Sequence, residues 1–216
     1  MENTSVRTLD FTASSGGIRA SLISTSKSSE AIAVALPGAG YSCKMPLLYY
    51  SINSLLLKGY QVLAIEKVYA EDSVWCNFKT RESAFEYVQK DSEDLFAEIS
   101  RLFPERVKVL LGRSLGTLQI ACALEQNIFK LNQIIWQTPS LYERWPLMKS
   151  CGVDGFGIIG TIDQRYETAL PYLPKDRIVI DGADHAMEIP GDMTRSIEIL
   201  GQVIAATHEW LQPAQL

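Results

Sequence analysis

Seven residues near the middle of the chain, Leu111-Gly112-Arg113-Ser114-Leu115-Gly116-Thr117, restrict the possible fold more than any other stretch. They follow an apolar, partly β-branched run, Val107-Lys108-Val109-Leu110, and precede the helix-forming Leu118-Gln119-Ile120-Ala121-Cys122-Ala123-Leu124. The local reading is strand, sharp turn, helix. In that setting Gly-x-Ser-x-Gly makes a strained turn: the glycines let strand and helix pack closely, and the serine hydroxyl is lifted out at the strand end. The following helix aims its N-terminal N–H groups and positive dipole end at the same point.

The flanking pattern supplies the rest of a sheet. Residues 5–13 and 18–24 alternate as two strands across Ser14-Ser15-Gly16-Gly17, a hairpin turn. Residues 31–36, 61–65, 107–111, 133–137, 156–161 and 177–180 read as further strands, the first of them apolar throughout and so buried on both faces. Between them, Leu47, Leu48, Ile52, Leu55 and Leu56 recur at helical spacing up to Gly59, and Ala84, Val88, Leu95, Ile99 and Leu102 stripe a long helix that also carries Asp91. Helices are also expected from the central turn to about Gln126, around 166–172 and over 195–211, while 66–80 reads as a long loop with Trp75 and Phe78. Strands alternating with helices imply an α/β fold: a mostly parallel central sheet covered on both faces, with an antiparallel N-terminal hairpin. No repeat or linker divides residues 1–216, so one domain is expected.

In such a sheet ligands bind at the carboxyl ends of the strands, so a base for Ser114 must lie there. His185, in Asp181-Gly182-Ala183-Asp184-His185, follows the last strand, whereas His208 lies within the final helix and reads as structural. The acid that orients the histidine is expected after the preceding strand, which selects Asp163; Asp154 is at the wrong end, and Asp184 adjoins His185 too closely to face its ring. The order Ser114, Asp163, His185 is the one this turn motif requires. An oxyanion hole would use the Leu115 N–H and a donor from Pro37-Gly38-Ala39-Gly40-Tyr41, with Ala39 the choice and Gly40 or Tyr41 the alternatives. Arg113 beside the nucleophile and Asp91 on an apolar helical face are expected to pair beneath the turn.

With these residues in view the chain resembles a small α/β hydrolase of the dienelactone-hydrolase-like and carboxylesterase-like kind. The resemblance covers residues 31–211 and rests on Pro37-Gly38-Ala39-Gly40, Gly112-Arg113-Ser114-Leu115-Gly116, Asp163 and Gly182-Ala183-Asp184-His185. It implies the α/β-hydrolase fold and a serine hydrolase that cleaves a small ester or thioester through an acyl-enzyme, with no cofactor. Two positions depart from the pattern. Pro37-Gly38 stands where His-Gly is usual, and Ser114 stands where dienelactone hydrolases carry cysteine. Only residues 138–153 occupy the place where larger members insert a helical cap, so no substantial cap domain is expected. An open site then has Tyr41, Trp145 and Met187 as candidate substrate contacts, with Trp75 and Tyr166 as further aromatic candidates.

Charge and composition limit the partners. A net charge of −5 without a basic run argues against nucleic acid or an anionic membrane and favours a small-molecule acyl substrate. Four scattered cysteines and two histidines offer neither a disulfide framework nor a multi-histidine metal site. The first residues, Met1-Glu2-Asn3-Thr4-Ser5-Val6-Arg7, lack the basic head and apolar core of a signal peptide, so a cytoplasmic protein is expected. Homo-oligomer formation, acyl transfer in place of hydrolysis, and a catalytically silent interaction role remain open at this level. A dinucleotide site at Gly38-Ala39-Gly40 is disfavoured because Cys43 takes the third glycine position.

Overall fold

A computed structural model of the chain describes residues 3–215; Met1, Glu2 and Leu216 lie outside the described residues. Eight strands form one sheet: β1 (Thr4–Ala13), β2 (Gly16–Thr25), β3 (Ile32–Leu36), β4 (Gln61–Ile65), β5 (Val107–Arg113), β6 (Gln133–Gln137), β7 (Asp154–Gly160) and β8 (Asp176–Ile180). Their spatial order is β1-β2-β4-β3-β5-β6-β7-β8. The β1–β2 and β2–β4 pairs are antiparallel and the remaining pairs are parallel. Ala13 pairs with Gly16, which leaves Ser14-Ser15 as a two-residue hairpin loop.

Among the described residues seven α-helical segments flank the sheet: α1 (Pro46–Leu57), α2 (Ser73–Cys76), α3 (Arg81–Leu102), α4 (Leu115–Glu125), α5 (Leu147–Ser150), α6 (Tyr166–Ala169) and α7 (Met193–Trp210). Their starts follow local chemistry. Proline opens α1, the Thr80 hydroxyl accepts from the Ser83 N–H at the start of α3, and Asp192 accepts from the Arg195 N–H at the start of α7. The 66–80 loop is more ordered than its sequence suggests. It holds a 3₁₀ turn, Tyr69–Glu71, and the short α2, whose first N–H groups bond the Asp72 carboxylate. The 138–153 segment contains only α5, so no cap domain covers the sheet edge.

The pleat divides the core in two. In β3, Ile32, Val34 and Leu36 pack toward α3 and α4 with Leu95, Ile99 and Ile120. Ala33 and Ala35 face the other way, toward Leu47 and Leu48 of α1 and Ile199 and Val203 of α7. Burial on both faces is why the strand is apolar at every position. No helix among the described residues is long and apolar enough to cross a membrane.

The same pleat overturns the expected Arg113–Asp91 pair. Side chains of β5 alternate, and Val109 and Leu111 belong to the α1/α7 layer, so Arg113 points to that layer too. Asp91 lies on α3, across the sheet. It is fully buried, and its carboxylate accepts from the Ser15 N–H at 2.7 Å, from the Ser15 hydroxyl and from the Tyr69 hydroxyl at 3.1 Å. Asp91 therefore anchors the hairpin loop and the 3₁₀ turn to α3. Removing it strands the buried Tyr69 hydroxyl and the part-buried donors of Ser15. Asp91→Ala is expected to lower unfolding stability by about 2 kcal/mol or more, measured by urea denaturation, because a charged hydrogen-bond acceptor is lost and its donors go unsatisfied.

Candidate active site

Ser114 lies between β5 and α4 with φ of 50° and ψ of −114°, a left-handed conformation that L-residues adopt only under constraint. Its N–H donates to the Gln137 carbonyl at 2.9 Å, and its own carbonyl accepts from the Thr117 N–H and hydroxyl at 2.9 and 2.6 Å. These bonds hold the turn. Gly116 lets α4 begin where it does: a Cβ there would stand 2.2 Å from the Leu36 carbonyl oxygen.

His185 meets Ser114, and Asp163 meets His185. His185 Nε2 is 2.9 Å from Ser114 Oγ, and its Nδ1 is 2.6 Å from Asp163 Oδ2. The Asp163 side chain is fully buried, while that of His185 is 29% exposed, which leaves the imidazole open to a ligand. The second Asp163 oxygen accepts from the Arg165 N–H at 2.9 Å. Burial pushes this carboxyl up, but the hydrogen bonds from His185 and the Arg165 N–H, with the nearby positive charge, outweigh it and hold Asp163 below the usual carboxylate range. With Asp163 ionised, Nδ1 is the protonated ring nitrogen and Nε2 is free to accept from the serine.

The rejected alternatives have other duties. Asp154 begins β7, at the far end from Gly160. Asp184 accepts from the Ala186 and Glu188 N–H groups and so shapes the loop that presents His185. His208 sits in the last turn of α7. Burial pushes the Cys43 and Cys122 thiols up to about 12, so neither is a competing nucleophile.

In the Pro37–Tyr41 turn, the Gly38 N–H donates to the Tyr41 carbonyl at 3.0 Å and the Tyr41 N–H returns to the Gly38 carbonyl at 3.5 Å. The Gly38 carbonyl points into the turn, so the Ala39 N–H of the same planar peptide points out of it. The Ala39 carbonyl accepts from Ala70 at 2.7 Å, which ties the turn to the 3₁₀ segment. Leu115 is the first residue of α4, so its N–H has no acceptor within the helix.

Arg113 has a role that the sequence reading missed. Its guanidinium donates to the His185 carbonyl at 3.0 Å and lies 3.7 Å from the Tyr41 ring centroid. It thus joins the nucleophile turn, the Tyr41 turn and the histidine loop in one contact. Burial lowers its pKa, and attraction to Tyr41, Asp163 and Asp184 opposes that. The signal was a charged residue at the end of an otherwise buried strand.

The proposed lining residues divide between two recesses. Tyr41 and Met187 border an open groove of about 580 Å³ between the starts of α1 and α7, beside the His185 loop. Trp145 borders a separate recess of about 260 Å³ next to the Asp163 loop. Trp75 stacks at a tilt against Tyr69, and Tyr166 packs against the α3/α4 core layer.

No family model and no curated protein sequence matches the chain. Solved structures do. A dienelactone hydrolase from Anabaena variabilis superposes with a TM-score of 0.66 at 17% identity, covering 96% of each chain. A lidless α/β serine hydrolase from Xanthomonas campestris gives 0.64 at 14% identity, over 98% of this chain and 97% of that one. An esterase from Pyrococcus furiosus gives 0.61 at 16% identity, over 95% and 91%. The chain has the α/β-hydrolase fold. It is a small α/β-hydrolase structure without a cap, and it keeps the antiparallel hairpin at its N-terminal edge.

The depressed pKa of Asp163 links this site to stability. A carboxyl whose folded pKa lies below its unfolded value stabilises the fold above the unfolded value, and the effect is lost as pH falls through the folded value. Asp163→Asn should therefore be less stable than wild type at neutral pH. The gap should be widest at neutral pH and narrow as pH falls through that lowered value; a series of urea unfolding curves from pH 7 into the acid range measures it.

Proposed function

We propose that the protein is a serine hydrolase that cleaves a small carboxylic ester or thioester through an acyl-enzyme. One observation carries the reading: Ser114 Oγ, the His185 ring and the Asp163 carboxylate form a continuous hydrogen-bonded chain of 2.9 and 2.6 Å at the carboxyl edge of the sheet. A serine hydroxyl attacks an acyl carbon only when a base takes its proton, and this chain supplies the base and its orienting acid. The hydrolase and esterase names of the similar structures agree with it.

In the first half-reaction Ser114 Oγ bonds to the acyl carbon as its proton moves to His185 Nε2. Asp163 stabilises the imidazolium and fixes its tautomer. The carbonyl π electrons move to oxygen, and the oxyanion lies against the Ala39 and Leu115 N–H groups. The intermediate then collapses: the bond to the alcohol or thiol breaks, and the leaving group takes the proton from Nε2. Water attacks the acyl-enzyme, gives a proton to His185, and the acid is released as that proton returns to Ser114. Tyr41 and Met187, on the groove beside His185, are the proposed apolar contacts for the substrate, and Trp145 contacts it from the other side.

Labelling by a fluorophosphonate probe and hydrolysis of a short-chain chromogenic ester series test this directly. Wild type is expected to react with both, and Ser114→Ala to lose labelling and at least about 10³-fold in kcat/KM. Folded wild type that neither labels nor hydrolyses any ester overturns the reading. Arg113→Lys keeps the charge but loses the planar contact to Tyr41 and the reach to the His185 carbonyl. It should slow labelling by about tenfold without removing it, as expected when the base is less well positioned.

A further inference from the structure

Tyr69 opens the 3₁₀ turn that follows β4, and it is only 1% exposed. Its ring belongs to a small apolar cluster with Val88 of α3 and Leu115 and Leu118 of α4, and Ala39 packs against the same cluster. Leu115 and Ala39 are the residues whose N–H groups meet the oxyanion in the mechanism above. One buried ring thus shares a packed cluster with both.

The tyrosine is held at its tip and at its backbone. The hydroxyl donates at 3.1 Å to Asp91, a fully buried carboxylate that also accepts from the Ser15 N–H at 2.7 Å. Burial and the Asp91 carboxylate push the phenol well above the usual tyrosine range, so the hydroxyl keeps its proton and stays a donor. The Tyr69 carbonyl accepts from the Asp72 N–H at 3.0 Å. Asp72 is fixed in turn, because its carboxylate accepts from the Val74 N–H at 2.8 Å and the Tyr87 hydroxyl at 3.0 Å and pairs with Lys67.

The next residue carries this rigidity to the Pro37–Tyr41 turn. The Ala70 N–H donates to the Ala39 carbonyl at 2.7 Å, and the Tyr41 N–H donates to the Gly38 carbonyl at 3.5 Å. These two bonds orient the planar peptides on either side of Ala39, and the bond from Ala70 is the shorter by far. The Tyr41 end of the turn is held separately, by the Leu47 N–H on its hydroxyl at 2.9 Å and by Arg113 against its ring. Donors stabilise an oxyanion to the extent that they already point at it when the charge develops. The direction of the Ala39 N–H therefore depends on where Ala70 stands.

We propose that Tyr69 is a positioning residue for the oxyanion hole: with its hydroxyl anchored on Asp91 and its ring packed in the Leu115 cluster, it holds Ala70 against the Ala39 carbonyl and so aims the Ala39 N–H. This role rests on the hydrolase reading above. It also ties reactivity to the N-terminal hairpin, since Ser15 and Tyr69 share the Asp91 carboxylate across α3.

Tyr69→Phe keeps the ring in its cluster and removes the bond to Asp91, which retains its Ser15 donors, so the variant should stay folded. On a chromogenic ester its kcat is expected to fall about tenfold with KM unchanged, less than the loss from deleting a donor, because the N–H is displaced rather than absent. Phenylboronic acid, which forms a tetrahedral adduct on an activated serine, should bind the variant more weakly by the same factor. The pH profile of kcat/KM should keep its shape, since His185 and Asp163 are untouched. Ser15→Ala takes a hydroxyl from the same carboxylate and leaves the Tyr69 bond in place; it should lose stability and keep kcat. Wild type alone gives a further readout: after fluorophosphonate labelling, amide exchange should slow over residues 67–72 as well as 37–41, because the two segments are coupled. Folded Tyr69→Phe with wild-type kcat and boronate affinity, an equal loss of kcat in Ser15→Ala, or slowed exchange confined to 37–41 overturns the role of Tyr69 and leaves the hydrolase reading standing. Wild type inert to ester, boronate and fluorophosphonate alike removes the hydrolase reading and this role with it.

Discussion

The site depends first on two places where backbone approaches backbone too closely for any side chain. At Gly116 a Cβ would lie 2.2 Å from the Leu36 carbonyl oxygen, and at Gly160 one would lie 2.0 Å from the Ala183 carbonyl oxygen. The first contact presses the start of α4 against the end of β3 and so sets the Pro37–Tyr41 turn beside Ser114. The second presses the end of β7 against the loop after β8 and so sets Asp163 beside His185. Each contact joins one half of the machinery. Everything finer, including the 2.6 and 2.9 Å hydrogen bonds of the triad, is built on these two approaches.

What joins the halves to each other is Arg113. A buried cation is costly unless its charge and its donors find partners. Here the partners are the face of Tyr41 from one half and the carbonyl of His185 from the other, while Nε is buried and meets no acceptor among the described residues. The arginine is held at the end of β5 by sheet pairing with Gln137, so its direction is set by strand register rather than by its own flexible stem. On the opposite face of the sheet, Asp91 does similar work for the hairpin loop and the 3₁₀ turn. Two buried charges of opposite sign thus each brace three segments without meeting, because the sheet stands between them.

The separation of those charges marks the boundary of what the sequence discloses. Strand ends, helix starts and the order serine, acid, histidine are local or one-dimensional signals, and the three residues they single out, Ser114, Asp163 and His185, are brought together at one edge of the sheet. The eight strands were legible for the same reason: a run buried on both faces is apolar at every position, and a hairpin announces its turn. Which face of the sheet a helix covers is not a local property. Without it, Arg113 and Asp91 looked like natural partners although the parity of Val109, Leu111 and Arg113 was already visible. The buried Tyr69 was hidden likewise, since its burial depends on α3 passing over a loop that has no apolar period of its own. The recess next to the Asp163 loop, lined by both Arg81 and Arg165, draws on residues far apart in sequence and has no one-dimensional trace.

Once assembled, the edge of the sheet that carries Ser114 is electrostatically directional. The groove next to the histidine loop is apolar with acidic residues on its wall, and the recess next to the aspartate loop is basic and polar. Ser114 is tied to both sides, through His185 to the groove and through Thr117 and Ser140 to the recess. Fields from opposite charges on the two sides add along the line between them, and low-dielectric walls weaken screening. With only the short α5 between β6 and β7, nothing encloses this edge, and the charge arrangement of the open edge itself is what an approaching molecule meets first.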